Sequence, residues 1–202
     1  MNHLLSLHRP DMRAAARSVI LILLGVAFLT LCAKIRLPSW PVPMTLQTLG
    51  VMSLAIAAGP RLAAATFAAY LAAGAIGMPV FAGTPERGIG LAYMAGPTGG
   101  YLLGFLTASW LVGTLMTWFG RGILGRSLAM VAGLGVVYGA GLAWLSFYVP
   151  ANQLLALGML PFIMSDLTSI AVVTLGASAI SAAISAAFPA LLDKLADWMP
   201  RR

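Results

Sequence analysis

The chain has 202 residues, of which 60% are hydrophobic and 8% charged, and a net charge of +7. A soluble domain carries about 25% charged residues, so this chain lacks the polar surface to face water all round, and several segments must face lipid. Its Lys and Arg residues sit singly between apolar runs, as membrane-orienting charges do, and not as the clustered basic face of a nucleic-acid binder.

In chain order, the first apolar run covers residues 14–33, behind Arg9, Arg13 and Arg17. Its basic start is like that of a signal peptide. Twenty residues nevertheless cross a ~30 Å hydrocarbon core at ~1.5 Å each, and "LCAKIRLP" offers no Ala-x-Ala cleavage pattern. The run is read as a retained span. Cys32, the one cysteine, reads as a small buried side chain and excludes an internal disulfide or a multi-cysteine metal site. His3 and His8 both precede this span, so His-based metal, proton-transfer and Ser–His chemistries lack their key residue. No base partners any serine, so the chain is not expected to be an enzyme or an intramembrane hydrolase. No cofactor or metal is expected.

"PSWPVPMTLQT" leads into a second span at 45–58. Gln47, with Thr45 and Thr48 near it, places an amide one turn into that span. Such a group in lipid needs a partner, which a neighbouring helix or a ligand can supply. "AGPRLA" is a Gly-Pro turn into the third span, 62–78. The second and third spans are short, and the second is tilted or partly re-entrant.

"ERGIGLAYMAGPTGGYLLGF", residues 86–105, then precedes and enters the fourth span, 98–118. Arg87 fits a solvated turn, or an anion site, since a guanidinium grips a carboxylate bidentately and keeps its charge. Thr98 stands where an N-cap is wanted. Gly100, Gly104 and Ala108 recur every four residues, a ladder that lets another helix approach closely. Tyr101 is either an interfacial belt residue or a ligand contact. "GRGILGRS" nearly matches a phosphate-binding loop, but that loop belongs between a strand and a helix of a soluble α/β domain. Here it is a short cytoplasmic turn before the fifth span, 128–149.

The sixth span, 161–188, begins with "PFIMSDLTS". Asp166 is the only acid placed within a span. An ionisable group at that depth is costly and usually faces a cavity or a partner. A solvated acid near a helix N-terminus also suits the helix dipole. Ser169 follows one turn later, and Ser178, Ser181 and Ser185 are read as close-packing residues.

With both termini in the cytoplasm, nine Lys and Arg lie inside and three, Lys34, Arg36 and Arg87, lie outside, in accord with the positive-inside rule. The expectation is an all-α integral membrane protein, one domain over 1–202, forming a six-helix transmembrane bundle. The three unusual polar stretches then share the outer face. A site loaded from outside needs polar groups only there. An ion or proton pathway through Asp166 needs more of them at depth, and a structural scaffold leaves Asp166 and Arg87 without a role.

Together, "VPMTLQTLGV", "GAIGMPVFAG", "GPTGGYLLGF" and "PFIMSDLTSI" resemble the BioY family of biotin-binding substrate-capture subunits (S components) of energy-coupling-factor (ECF) transporters. The resemblance covers residues 35–190 or so. It implies six membrane helices and high-affinity biotin capture and uptake across a prokaryotic inner membrane. Implied partners are a transmembrane coupling subunit and two cytoplasmic ATPase subunits, with solitary action also proposed for some members. By position, Asp166 matches the family's acid and Arg87 the arginine of the outer loop. Gln47, Phe81, Tyr93 and Tyr101 fall in motifs expected near the ligand. Where many members have a lysine three residues after the acid, this chain has Ser169. Small residues of the first helix, here Ala14, Ala15 and Ser18, are the implied partner-docking positions, although Ile22 interrupts the ladder.

Overall fold

The computed structural model describes residues 12–37, 42, 44–85 and 88–198, with side chains described for those from 15 to 182. Helix α1 runs Met12–Lys34. Strands β1 (Arg36–Leu37) and β2 (Met44–Thr45) pair antiparallel, Arg36 opposite Thr45. Then come α2 (Gln47–Ala58), α3 (Pro60–Ala75), α4 (Leu91–Met94), α5 (Gly99–Phe119) and α6 (Ile123–Leu145). A 3-10 turn at Ala151–Gln153 leads into α7 (Leu154–Gly158) and the long α8 (Leu160–Trp198).

Among the described residues, four segments are long and apolar enough to cross a membrane: Ala15–Lys34, Gly99–Phe119, Ile123–Leu145 and Ala151–Ala182. Their outward faces carry leucine and isoleucine, as lipid-facing surfaces should. On α1, Leu23 and Leu24 are each 63% exposed. With 12 and 16 residues, α2 and α3 are about 18 and 24 Å long, short of a ~30 Å core. The tiny β1–β2 pair departs from the all-helical expectation. It closes the connection between α1 and α2, and Leu46 N–H donates to Ile35 O at 3.3 Å.

The centre of the molecule is the α5–α6 seam. A Cβ on Gly104 would stand 2.8 Å from Val137 Cα, so only glycine lets the two backbones approach there. Gly100 sits against Trp144 and Ala140, and Ala108 is fully buried. The small-residue ladder thus packs on α6, as its spacing suggested. A second close approach occurs at the turn between α2 and α3. Gly59 takes φ 78° and Pro60 opens α3. That turn lies against Gly113 of α5, whose added Cβ would meet Pro60 N at 2.6 Å.

Two local expectations differ. Thr98 occupies the N-cap position of α5 but makes no side-chain cap bond. Helix α6 starts at Ile123, five residues before 128, because Arg126 and Ser127 are absorbed into the seam with α8. Arg126 is 6% exposed. Its Nη1 donates to Ser178 Oγ at 2.7 Å and its Nη2 to Ser181 Oγ at 3.3 Å. Ser127 and Thr174 hydroxyls face each other at 3.5 Å. Ser178 and Ser181 therefore bind a cation, beyond the packing role read from their alanine context.

Candidate functional site

Asp166 is seven residues into α8, on the face that also buries Phe162, Ser169, Ile170 and Val173. These positions recur at helical spacing, so the fold that hides the apolar face hides the acid with it. Asp166 is 7% exposed. A charge held there needs donors. Tyr138 of α6 donates its hydroxyl to Asp166 Oδ2 at 2.5 Å, and the Thr48 side chain of α2 hydrogen-bonds the same carboxyl.

These groups line a cavity of about 60 Å³ between α2, α5, α6 and α8. Thr45, Thr48, Ser165, Tyr138 and Asp166 supply its polar wall, and Phe105, Phe162 and Val137 its apolar wall. Tyr101 also lines it, with its position fixed from both sides. Its hydroxyl donates to Gly158 O at 2.6 Å, and Gly141 leaves room for its ring. The result is one carboxylate and a few hydroxyls among aromatic surfaces, the pattern of a small-molecule site.

An aromatic chain leads away from this cavity. Phe105 contacts Phe67 at 6.1 Å between centroids, Phe67 contacts Tyr70 at 5.4 Å, Tyr70 meets Phe81 edge-on at 5.3 Å, and Phe81 stacks on Tyr93 at 5.0 Å. Phe81 fills the space that Gly74 leaves without a side chain. Lys34, at the end of α1, pins this region by donating to Phe81 O at 3.1 Å, Thr84 O at 3.2 Å and Thr84 Oγ1 at 2.9 Å. Gln47 lies beside Tyr70. Its amide Nε2 is buried without a hydrogen-bond partner.

The structure thus brings Asp166 and Tyr101 to one cavity and places Phe81, Tyr93 and Gln47 in the adjoining aromatic cluster. Ser169 is buried, but its hydroxyl donates to Ser165 O of its own helix at 2.9 Å. Glu86 and Arg87 lie outside the described residues, as does the Ala14 side chain. Ala15 and Ser18 are exposed on α1. Sequence reasoning missed Tyr138, Phe105, Phe162 and the Lys34 anchor. For Tyr138 there was a signal: a tyrosine deep in an apolar span needs an acceptor for its hydroxyl, and Asp166 is the one acid placed at that depth.

A larger groove of about 570 Å³ runs between α1, α2 and α3, past Leu21, Leu24, Phe28 and Leu54. It has no charged lining residue and shares none with the Asp166 cavity. Its size alone does not make it the site, since it offers a ligand only apolar contact and two hydroxyls.

The profile of the BioY family matches residues 2–186. A probable biotin transporter BioY of Pyrococcus horikoshii is 38% identical over 156 residues, covering 77% of this chain and 91% of that protein. Biotin transporter BioY of Thermotoga maritima is 34% identical, covering 74% of this chain and 86% of that protein. Biotin transporter BioY2 of Lactococcus lactis is 33% identical, covering 83% and 92%. Among solved structures, the fold matches the S-component for biotin from an ECF-type ABC transporter. The TM-score is 0.72 at 24% identity, over 84% of this chain and 93% of that one.

Proposed function

This chain belongs to the BioY family, and from that premise we propose that it captures biotin and mediates its uptake as a membrane transport protein, not as an enzyme. The observation that carries the chemistry is Asp166, a buried carboxylate held by Tyr138 in an aromatic cavity. Biotin's bicyclic head presents two N–H donors and one C=O, and its tail ends in a carboxylate on an apolar chain. A carboxylate suits the N–H groups, aromatic walls suit the rings, and a guanidinium suits the tail. In this reading Asp166 accepts the ureido N–H groups, and Arg87 meets the tail. Gln47, whose buried amide lies against Tyr70, serves the ligand from the side, with Tyr93 and Phe81 in the same aromatic cluster. Ser169 takes the place of a cation near the acid. The cavity of about 60 Å³ is far below the roughly 300–1,000 Å³ of a small-molecule pocket, so a bicyclic ligand enters by spreading the segments that line it.

The finer reading is a six-crossing bundle in a prokaryotic inner membrane with both termini in the cytoplasm. In it, α2 and α3 are short crossings. A transmembrane coupling subunit docks along α1 near Ala14, Ala15 and Ser18, and two ATPase subunits power transport, with solitary uptake as a second mode.

A titration of the purified chain with biotin and with its uncharged tail amide tests the assignment. Charge-assisted hydrogen bonds contribute about 1.5–3 kcal/mol, which is roughly 10- to 150-fold in affinity. Asp166→Ala is expected to weaken both ligands alike by that factor, because both keep the ureido ring. Arg87→Ala is expected to weaken biotin far more than the amide. Equal loss for both ligands in Arg87→Ala makes that residue a gate, and unchanged affinity in Asp166→Ala removes the cavity from consideration.

A further inference from the structure

Asp166 can accept ureido N–H groups, and Arg87 can meet the tail carboxylate, but the ureido carbonyl oxygen needs a donor. A carboxylate has none to give, and an acceptor buried without a partner costs affinity. In a cyclic urea the nitrogen and the oxygen are only about 2 Å apart. The donor to the oxygen must therefore stand beside the carboxylate that takes the N–H.

Among the described residues, the hydroxyls that line the cavity belong to Thr45, Thr48, Tyr101, Tyr138 and Ser165. Tyr101 donates to Gly158 O at 2.6 Å and Ser165 to Phe162 O at 2.8 Å, so both are spent on the backbone. Tyr138 donates to Asp166 Oδ2 at 2.5 Å and holds the acid in place. Thr45 Oγ1 accepts from Gln47 N–H at 3.2 Å, which ties it to the start of α2. Thr48 combines the two properties the ureido edge requires. It is 4% exposed, on a helix other than those of Tyr138 and Asp166, and it lines the same cavity. Its side chain also hydrogen-bonds the Asp166 carboxyl, so its hydroxyl is one hydrogen bond from the acid. A ligand N–H that reaches Asp166 replaces that bond, and the hydroxyl can turn to the adjacent carbonyl oxygen. One hydrogen bond is given up and two are made, while Tyr138 stays on the carboxylate.

Resting on the biotin reading of the Asp166 cavity, we propose that the Thr48 hydroxyl donates to the ureido carbonyl oxygen and sets the preference for an oxygen at that position. Thr48 and Asp166 then read one edge of the ring as a pair, the hydroxyl giving and the carboxylate receiving. A site built to hydrogen-bond a group discriminates against an analogue without it, because its own polar groups are left unpaired.

The test titrates the purified full chain in detergent with biotin and with the analogue that carries sulfur in place of the ureido oxygen, a weaker acceptor. Thr48→Val keeps the side-chain shape and removes the hydroxyl. It should weaken biotin about tenfold and the sulfur analogue by less than about twofold, the loss of one hydrogen bond in a buried site. The larger size of sulfur affects both proteins and cancels in the cycle of two proteins and two ligands. Thr48→Ser keeps the hydroxyl and should keep the preference for oxygen. Thr48→Ala gives the same reading as Thr48→Val should the valine variant not fold. Equal weakening of both ligands in the hydroxyl-free variants makes Thr48 a wall or a support for Asp166 and overturns the proposal, as does unchanged biotin affinity. Asp166→Ala separates the two levels. If it weakens biotin while the Thr48 variants do not distinguish oxygen from sulfur, only the Thr48 assignment falls. If it leaves biotin affinity intact, or the unaltered chain binds no biotin, the cavity reading falls and Thr48 with it.

Discussion

Asp166 and Tyr138 show how much rests on one hydroxyl. The acid was visible in the sequence as the lone acid within a span, but its partner comes from a helix 28 positions away, and no local pattern links the two. Tyr138→Phe removes a donor to a carboxylate that is 7% exposed. The unfolding free energy of the ligand-free chain is therefore expected to fall by about 1.5–3 kcal/mol, measured by denaturant titration in detergent. Biotin affinity should be maintained or improved in the same variant, because a ureido N–H takes the lone pair that the hydroxyl leaves. A fall in biotin affinity matching the loss of stability would mean that the hydroxyl itself orients the ligand site. The residues that escaped the sequence, Phe105 and Phe162, are ordinary core aromatics by type. Only the packing of α5 and α8 around α2 and α6 gives them a cavity to line.

The α5–α6 pair was the most legible element. Gly100, Gly104 and Ala108 spell a close helix contact by spacing alone, and the seam forms there. Helix boundaries were less legible where polar residues lie inside a helix. Arg126 and Ser127 looked like the edge of a turn, and the serines that accept from the arginine are some fifty positions later. The loop geometry after α3 was not legible either, since Lys34 reaches it from the end of α1. Glycines of the two seam helices are unequal, and this is testable. Gly104→Ala pushes a methyl to 2.8 Å from Val137 Cα, an overpacking expected to cost about 1–3 kcal/mol. Gly139→Ala, on α6 across the same seam but with nothing within 4 Å, should be neutral or stabilise by up to about 1 kcal/mol through helix propensity. Thermal unfolding of both variants in one detergent checks the contrast, and equal shifts would show that the seam relaxes to admit the methyl.

For the whole molecule, the positive-inside count predicts which end loads, and labelling from each side tests it. Cys32 is buried, so a background with Cys32→Ala gives a clean start. Thr84 is a poor reporter, being buried and bonded to Lys34. Ile89, 45% exposed in the loop before α4, is a better one. Ile89→Cys should react with an impermeant thiol reagent added outside intact cells, and Gly122→Cys only after lysis. The reverse labelling would put the Asp166 cavity on the cytoplasmic side. The molecule also carries a matched register. Helices α6 and α8 are joined at Tyr138 with Asp166 and at Arg126 with Ser178. The two joints are twelve residues apart on each helix, since 138 − 126 and 178 − 166 are equal. Both helices rise about 18 Å over that interval, so the joints behave like the coinciding marks of two identical rulers. Sliding α8 along α6 by a single residue misaligns both marks at once. Small axial drift is therefore suppressed, and any relative translation of the two helices must give up its acid–hydroxyl and guanidinium–hydroxyl contacts together, as one event.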